Sequence, residues 1–313
     1  MRVISNMVAL VCLLASLSTS AEPAQPRPGT VLPPQLQRQR VALVRRPGCR
    51  EYEKVAEEFK GRVRAAVWLL SPQRGLGTQL ARLDPHLVLL VGQSAYDQVR
   101  EAGILAPRSG SRPLLMHTLV FHGLLHGPRE VALPARASPS EVLAAFRLAR
   151  PGLRRVAVLY GPRSRDAMDG ARTAASELGF TLYPIEAPSP TRAIGLLRRM
   201  NHQARGLWLL TDLDLLTPQV LQYALGIQFR RKVLLMGATR RHAEHGALLA
   251  LDYEPNSLGR EAADIANQLL AGVPRRRITV VGATTRLCVN QGTARTLRVP
   301  LSRLKAAGAE MVP

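Results

Sequence analysis

Short polar loops follow several apolar runs of the chain, at positions where α/β proteins usually bind their ligands. Gly92, Gln93 and Ser94 come at the end of the apolar run 87–92 and begin a predicted helix. Free backbone N–H groups at a helix start favour a carboxylate or another anion. These three residues are therefore candidate ligand contacts, with a simple helix cap by Ser94 as the alternative.

Polar or aromatic residues also stand at the ends of five other predicted strands. Asp212 could fix a ligand amine by a charge-assisted hydrogen bond, or it could only cap the following turn. For His117 the alternative is an ordinary buried residue, and for Tyr160 it is a place in the core. The complete set of candidate ligand-binding residues is Gly92, Gln93, Ser94, His117, Thr118, Tyr160, Ser164, Thr211, Asp212, Ala238, Thr239 and Tyr253.

Three aromatic residues, Tyr52, Tyr96 and Trp208, could stack on a ring of the ligand. Aromatic residues make up only 4% of the chain. Trp208 lies inside a predicted strand, where a core position is the simpler interpretation.

The sequence offers no recognisable catalytic motif. It lacks the Gly-x-Ser-x-Gly elbow and the Walker loop, and Gly75 and Gly77 lack the third glycine of a dinucleotide fingerprint. His242 and His245 could share one helical face and, with Glu244, hold a metal ion. No third ligand is in view, so a solvated helix face is the simpler interpretation. We expect no catalytic residue, metal or cofactor.

Runs of Val, Leu and Ala predict the strands that position these residues. Several runs show no polar alternation, which is typical of strands covered on both faces in parallel sheets. Helical segments alternate with them, such as 166–178, which Gly179 ends. The predicted strands are 41–45, 65–70, 87–92, 114–119, 155–160, 181–186, 207–211, 233–237, 248–251, 278–281 and 287–289.

The strand and helix alternation breaks once, in the polar stretch 121–138, and then restarts. We interpret this break as the crossing between two α/β lobes, each with a doubly wound parallel sheet, joined by a hinge. Lobe 1 is predicted to span 40–137, with part of 271–313 returning to it. Lobe 2 is predicted to span 138–270.

The amino-terminal residues predict export. Arg2 precedes the apolar run 7–15, and Thr19 and Ala21 suit the −3 and −1 positions of a cleavage site. Residues 1–21 therefore form the expected signal peptide, and the expected location is the periplasm.

The stretch 22–39 is rich in Pro and Gln and predicts a flexible lead-in. Cys12 lies within the apolar run rather than at the cleavage site, which argues against a lipid anchor. Cys49 and Cys288 remain after cleavage, and we expect them to be unpaired because nothing brings them together in sequence.

The formal net charge of +21 raises the question of a nucleic-acid partner. The excess is mostly arginine, spread in pairs such as Arg154-Arg155 and Arg198-Arg199 near predicted helix ends. Aromatic interleaving and zinc-finger spacing are absent, and export argues against DNA. We expect no nucleic-acid partner, whereas attraction to anionic lipid surfaces or to an acidic ligand stays open.

A series of segments follows one recognisable order along the chain: 84–88, 92–95, 153–160, 171–179 (ARTAASELG), 206–212 (GLWLLTD), 246–253 (GALLALDY), 258–263, 272–274 and 289–294. Together they resemble the ABC-transporter substrate-binding family that includes aromatic-amino-acid binders. Two departures concern the loop 161–165 and the crossing 121–137, where the family's usual Asn-Pro and Gly-Asn-x-Thr-Gly patterns are missing.

The resemblance implies a type I periplasmic-binding fold with the ligand in the cleft at the hinge. It also implies a monomer that delivers an amino-acid-like molecule or small organic anion to an ABC permease in the inner membrane. Two alternatives stay open at this point: a sensory or scaffolding module of the same fold, and a hydrolase on an α/β scaffold.

Overall fold

The first sheet has five strands, all parallel, in the order β2-β1-β3-β4-β5 once they are numbered along the chain. This computed structural model describes residues 39–101, 113–120, 129–212 and 214–313. The strands are β1 (Arg40–Arg45), β2 (Ala66–Leu70), β3 (Leu87–Val91), β4 (Leu114–Thr118) and β5 (Glu130–Leu133).

Helices cover both faces of this sheet because successive side chains of a strand point to opposite faces. Val41 and Leu43 of β1 pack in the same cluster as Phe59, whereas Ala42 and Val44 pack with Tyr96 on the other face. The helices that follow the first three strands are α1 (Arg50–Arg62), α2 (Leu76–Leu83) and α3 (Gln93–Glu101).

The second sheet has seven strands. Their bounds are β6 (Arg155–Tyr160), β7 (Thr181–Glu186), β8 (Gly206–Leu209), β9 (Leu234–Gly237), β10 (Leu249–Tyr253), β11 (Thr285–Asn290) and β12 (Glu310–Val312). The order is β12-β11-β10-β9-β8-β6-β7, and β10 and β11 are the antiparallel pair.

Helices also cover both faces of the second sheet. Val156 and Val158 pack with Phe146, and Ala157 and Leu159 pack with Leu197 on the opposite face. The remaining helices are α4 (Pro139–Ala149), α5 (Arg165–Leu178), α6 (Pro190–Arg198), α7 (Pro218–Arg231), α8 (Arg240–Glu244), α9 (Pro255–Leu270), α10 (Gln291–Thr296) and α11 (Leu301–Ala306).

The starts of the helices in lobe 2 follow from local chemistry. Ser138 and Glu141 form a capping box at α4, in which each side chain accepts from the other residue's backbone N–H. At α6 and α7 only the cap side chain takes part: Ser189 accepts from the N–H of Arg192 and Thr217 from the N–H of Val220, and a proline follows each at the first helical position.

The chain passes between the two sheets three times, and the three crossings are tied together by hydrogen bonds. The N–H of Ala283 donates to the carbonyl of Pro134 at 3.0 Å, and the N–H of Glu254 donates to the carbonyl of Thr284 at 2.9 Å. The hydroxyl of Ser257 accepts from the N–H of Thr284 at 2.9 Å. The hinge therefore consists of three segments of the chain that hydrogen bonds join to one another.

The predicted fold class is confirmed: two parallel α/β sheets, each covered by helices, form the two lobes. One predicted strand, 278–281, is wrong: these residues form no strand, and of the four only Ile278 is buried, while Val281 is almost fully exposed. The short strands β5 and β12 were not predicted. Both have too few residues to give an alternating pattern.

The carboxyl-terminal third divides between the lobes differently from the sequence expectation. Helix α9, expected in lobe 2, buries Leu258, Ala262 and Ala266 in the cluster of lobe 1 that contains Phe59 of α1. The segment 285–313, part of which was expected to return to lobe 1, instead contributes β11 and β12 to the second sheet. The reason is that hydrophobic periodicity shows that α9 has a buried face, but not which sheet that face covers.

The predicted signal peptide 1–21 and most of the lead-in 22–39 lie outside the described residues. Within the part of the chain that the structure describes, no helix is long and apolar enough to cross a membrane. Cys49 is half-buried, Cys288 is buried in β11, and both are free thiols, as expected.

Candidate functional site

The loops that follow the parallel strands of the two sheets meet at the hinge. The first crossing leaves the carboxyl end of β5 and enters α4, and the second leaves the carboxyl end of β10 and enters α9. The space between the lobes is therefore bordered by the carboxyl ends of both sheets. In open α/β sheets, ligands bind at this edge.

On the lobe 1 side, Tyr52 lies directly against Gly92. A side-chain carbon on Gly92 would collide with the phenol ring, and the glycine has φ of +93°. Burial raises the pKa of Tyr52 above its ordinary value. Gln93 donates to Asp97 at 2.9 Å, and Ser94 is exposed beside it. The predicted loop at Gly92, Gln93 and Ser94 is thus present, and the ring of Tyr52 packs against it.

His117 and Thr118, expected at the cleft, lie instead in the core of lobe 1. His117 is 1% exposed, its Nε2 is 3.4 Å from Oε1 of Glu130 on the neighbouring strand, and its ring meets that of Tyr96 edge-on. The hydroxyl of Thr118 donates to the carbonyl of Leu133. Both side chains contact other residues of lobe 1, so His117 is the ordinary buried residue that was the alternative to a ligand contact.

On the lobe 2 side, Ser164 and Asp212 form one buried unit beneath Gly161. The Ser164 hydroxyl donates to Oδ2 of Asp212 at 2.7 Å, and Oδ1 accepts from the N–H of Asp214 at 3.2 Å. A side-chain carbon on Gly161 would lie 2.5 Å from Oδ2 of Asp212. The carboxylate therefore holds the loop after β6 against the loop after β8, where Thr211 is partly exposed.

Tyr160 ends β6 beside Glu186, the last residue of β7. Its hydroxyl donates to Glu186 at 3.3 Å, and Arg165 holds the same carboxylate at 2.6 Å. Burial, and then the charge of Glu186, raise the pKa of Tyr160. The ring is buried in the lobe 2 cluster, so Tyr160 is chiefly a core residue with a polar end at the edge of the sheet.

A cavity of about 600 Å³ lies between the start of α1 in lobe 1 and the loop after β9 in lobe 2. Thr239 and Tyr253 contribute to its wall, and burial raises the pKa of Tyr253. Both were predicted site residues. The complete lining is Arg50, Glu51, Lys54, Thr239, Arg240, Arg241, Glu244, Asp252, Tyr253 and Pro255.

The loop after β9 is held by His242. Its Nδ1 accepts from the N–H of Ala238 at 3.0 Å, and its Cβ lies where a side chain on Gly237 would stand. Burial, and then the charge of His245, lower the pKa of His242. The described residues contain no group of three His, Cys, Asp or Glu side chains that could hold a metal ion.

Sequence reasoning missed Arg136, which lies in the first crossing. Its side chain is partly buried and, among the described residues, forms no hydrogen bond or ion pair. Burial lowers its pKa, while the charge of Asp166 in the first turn of α5 acts in the opposite direction. The search for candidates was restricted to strand ends, and Arg136 lies three residues beyond one.

Of the other aromatic candidates, Tyr96 and Trp208 are 1% and 4% exposed and belong to the cores of their lobes. Tyr52 is the one of the three that borders the cleft.

The architecture is that of a type I periplasmic binding protein: two parallel α/β lobes, three crossings and a cleft at the carboxyl ends of the strands. Residues 142–310 match the family model described as ABC transporter substrate binding protein. The chain belongs to this family. Its members are binding proteins rather than enzymes and bind a small-molecule substrate for an ABC transporter, so the resemblance inferred from the sequence is confirmed. No curated protein sequence matches the chain.

Solved structures of the same fold cover most of the chain at low identity. One is an ABC domain in complex with L-Trp from Streptococcus pneumonia, with 12% identity, a TM-score of 0.60, and coverage of 88% of this chain and 99% of that chain. Another is the ligand-free, open structure of a substrate-binding protein with adhesive properties from Clostridium difficile, with 14% identity, a TM-score of 0.64 and the same coverage.

A third is a periplasmic ribose ABC transporter protein from Conexibacter woesei, with 13% identity, a TM-score of 0.54, and coverage of 85% of this chain and 96% of that chain. At identities this low, the structural similarity shows that these three proteins share the fold of this chain.

Proposed function

We propose that this protein captures a small organic anion, or an amino-acid-like molecule through its carboxylate, in the cleft between the lobes. It is exported to the periplasm and delivers this ligand to an ABC permease in the inner membrane. The observation that carries the proposal is Arg136, a partly buried guanidinium in the crossing between the lobes that has no ion-pair partner among the described residues and feels Asp166 only from beyond ion-pair distance. A buried charge with only a distant partner is costly, and a ligand carboxylate would compensate it.

The lining of the cavity between the start of α1 and the loop after β9 is rich in charge. Arg50, Lys54 and Arg241 form no ion pair among the described residues, whereas Arg240 is held by Glu244 at 2.7 Å and also by Glu310. In the same lining, a backbone hydrogen bond lowers the pKa of Glu51 most, and the nearby charges of Arg241 and Lys54 lower it further, so these two cations are only partly compensated. Planar guanidinium groups suit carboxylates because they can donate two parallel hydrogen bonds.

Binding is coupled to closure of the hinge. A ligand that contacts both lobes adds contacts in the closed state that the open state lacks, so the population shifts towards closure. Tyr52 on lobe 1, and Thr239 and Arg241 on lobe 2, are the side chains that would approach one another across the ligand. The closed form is the state that the permease would recognise.

The test is a thermal-shift and calorimetric screen of the protein against amino acids, small carboxylates and neutral sugars. A ligand at 100 times its dissociation constant stabilises the folded state by about 2.7 kcal/mol. We expect an anion to bind, and Arg136→Gln to weaken it by about 10- to 100-fold. Arg192→Gln, an exposed cation of α6, is the matched control and should leave the affinity unchanged.

Failure of every compound to bind would contradict the proposal. Binding of a neutral sugar with the same affinity in Arg136→Gln would keep a solute-binding protein but reject an anionic ligand.

A further inference from the structure

Lobe 2 carries a dense row of cations at the end opposite the cleft. The strands β6, β7, β8 and β9 are parallel, so their amino ends and the carboxyl ends of the intervening helices share one edge. We call this surface the basic edge. Its cations are Arg147, Arg150, Arg154, Arg155, Arg198, Arg199, Arg205, Arg230, Arg231 and Lys232.

The charge of the basic edge is not neutralised. None of its ten cations forms an ion pair among the described residues, and Glu177 is the one acidic residue in the described segments that form this edge. Several of the arginines bond only to uncharged groups. Arg231 donates to the carbonyls of Met200 and Asn201, and Arg155 donates to Gln203.

Like charges also lie close together there. The pKa of Arg150 is lowered by burial and then by the neighbouring charge of Arg205. The pKa of Arg147 is lowered by burial and then by Arg154. Proximity of like charges costs free energy when nothing compensates it, so the arrangement favours an anionic partner at this edge.

The opposite edge of the same lobe is different. At the carboxyl ends of the strands, Arg163 pairs with Asp214 at 2.8 Å and Arg165 pairs with Glu186 at 2.6 Å. These two ion pairs place acidic partners beside cations at the cleft side. The cations of the basic edge have no such partners among the described residues, so their charge is open to an external anion.

The size of the basic edge indicates the kind of partner. Four neighbouring strands span about 15 Å at the usual spacing of about 4.8 Å. A single small anion cannot contact cations spread over this width, whereas a surface of many phosphates can. A guanidinium group can donate two parallel hydrogen bonds to the oxygens of one phosphate, so arginine suits such a surface.

Phe229 distinguishes a lipid surface from other polyanions. It lies in the last turn of α7 beside Arg230 and is 43% exposed, one of few large apolar side chains with such exposure among the described residues. An exposed aromatic side chain among cations is the pattern of a segment that rests in the headgroup region of a bilayer. The described residues around it hold no row of exposed aromatic side chains, which single-stranded nucleic acid would need for stacking.

We propose that the basic edge binds the surface of an anionic phospholipid bilayer through its arginines, with Phe229 entering the headgroup layer. The interaction holds the protein at the membrane independently of whether the cleft is occupied. Each cation near an anionic surface contributes about fivefold to binding. Binding therefore depends steeply on the number of cations and on salt.

The experiment is sedimentation of the full chain with vesicles. One set contains phosphatidylcholine with about 30% phosphatidylglycerol, and the other contains phosphatidylcholine alone. The test variant is Arg198→Gln/Arg199→Gln/Arg205→Gln/Lys232→Gln. Its four residues are exposed, and their side chains form no hydrogen bond or ion pair among the described residues. The matched control, Arg74→Gln/Arg82→Gln/Arg100→Gln/Arg276→Gln, removes four exposed cations from lobe 1.

We expect the chain to bind the anionic vesicles only, and the test variant, which lacks four cations at about fivefold each, to bind about 600-fold more weakly. The control should lose far less, and Phe229→Ala should weaken binding severalfold without changing its salt dependence. Circular dichroism of each variant verifies the fold.

Equal losses in the two charge variants would show a net-charge effect and overturn the proposal. No binding to anionic vesicles would also overturn it. Binding of a short DNA duplex without binding of vesicles would replace the lipid partner with a nucleic acid.

Discussion

The phenol ring of Tyr52 rests on the α-carbon of Gly92, so no side-chain carbon can be added there without displacing the ring. This contact joins the first turn of α1 to the loop after β3. The two segments therefore form one surface on the lobe 1 side of the cleft, and its shape depends on a residue without a side chain.

Replacing Gly92 should affect both stability and the cleft. Gly92→Ala combines a backbone at φ of +93° with a collision against Tyr52, and we expect a loss of about 2–4 kcal/mol in the free energy of unfolding. Gly75→Ala is the matched control, because Gly75 has φ of +85° but open space around it. It should lose only about 1 kcal/mol in urea unfolding. If both variants lost the same unfolding free energy, the collision with Tyr52 would add no cost to that of the backbone conformation.

The Ser164 to Asp212 hydrogen bond should be measurable as stability. Ser164→Ala leaves Oδ2 of a buried carboxylate without its donor, which costs about 1–3 kcal/mol. Ser176→Ala, at an exposed site of helix α5, which begins directly after Ser164, should change the unfolding free energy by no more than about 0.5 kcal/mol. A Ser164→Ala protein as stable as the control would show that the carboxylate finds another donor.

Acidification should loosen the loop after β9. The pKa of His242 is lowered by burial, so the folded state favours the neutral ring, and its stabilising contribution is present above about pH 6.5 and lost as the pH falls below that value. Protonation also removes the Nδ1 acceptor from the N–H of Ala238. His242→Gln keeps an acceptor without the titration and should flatten the fall in stability between about pH 7 and pH 5.

Thermal unfolding across this pH range is the measurement, and His202→Gln, which changes an exposed histidine, is the control. A His242→Gln protein with the same pH dependence as the unmodified chain would assign the effect to other groups.

The two thiols should differ in reactivity. Burial raises the pKa of Cys288 to about 11, and its side chain is 1% exposed, whereas Cys49 is half-buried near the start of α1. A thiol reagent at about pH 8 should modify Cys49 in the folded protein and Cys288 only after unfolding. Mass spectrometry of the labelled peptides reports both sites. Labelling of Cys288 in the folded state at the rate of Cys49 would contradict its burial.

The burial of Cys288 should also make the folded protein less stable at alkaline pH. Because the pKa of Cys288 is raised in the folded state, its contribution is complete below about pH 9 and is lost as the pH rises towards about 11. The fall should be smaller in Cys288→Ala. An identical fall in this variant would assign the loss to other groups.

Much of the fold follows from the sequence because parallel strands covered on both faces are long apolar runs, as at 87–91 and 207–209. Membership of α9 in lobe 1 could not be predicted, since an apolar helical face does not name the sheet it covers. The same holds for β5 and β12, whose pairing is decided by partners far away in sequence.

The candidate site was predicted only in outline. Strand ends led to Gly92, Asp212 and Tyr253, which border the cleft or its loops. The same rule included His117, whose side chain the pleat of β4 turns into the core beside Glu130. It omitted Arg136, because a side chain in a crossing carries no periodic signal. That Arg136 lacks an ion-pair partner among the described residues is visible only in three dimensions.

The three crossings have a consequence for biosynthesis. Lobe 1 needs α9 and Ile278, and lobe 2 needs the strands of 285–312, so neither half can be completed from one uninterrupted stretch of polypeptide. During synthesis, lobe 1 can therefore be completed only after residue 278 has been made, and lobe 2 only after the strands of 285–312. A truncation after Leu270 would leave the second sheet without two strands at one side.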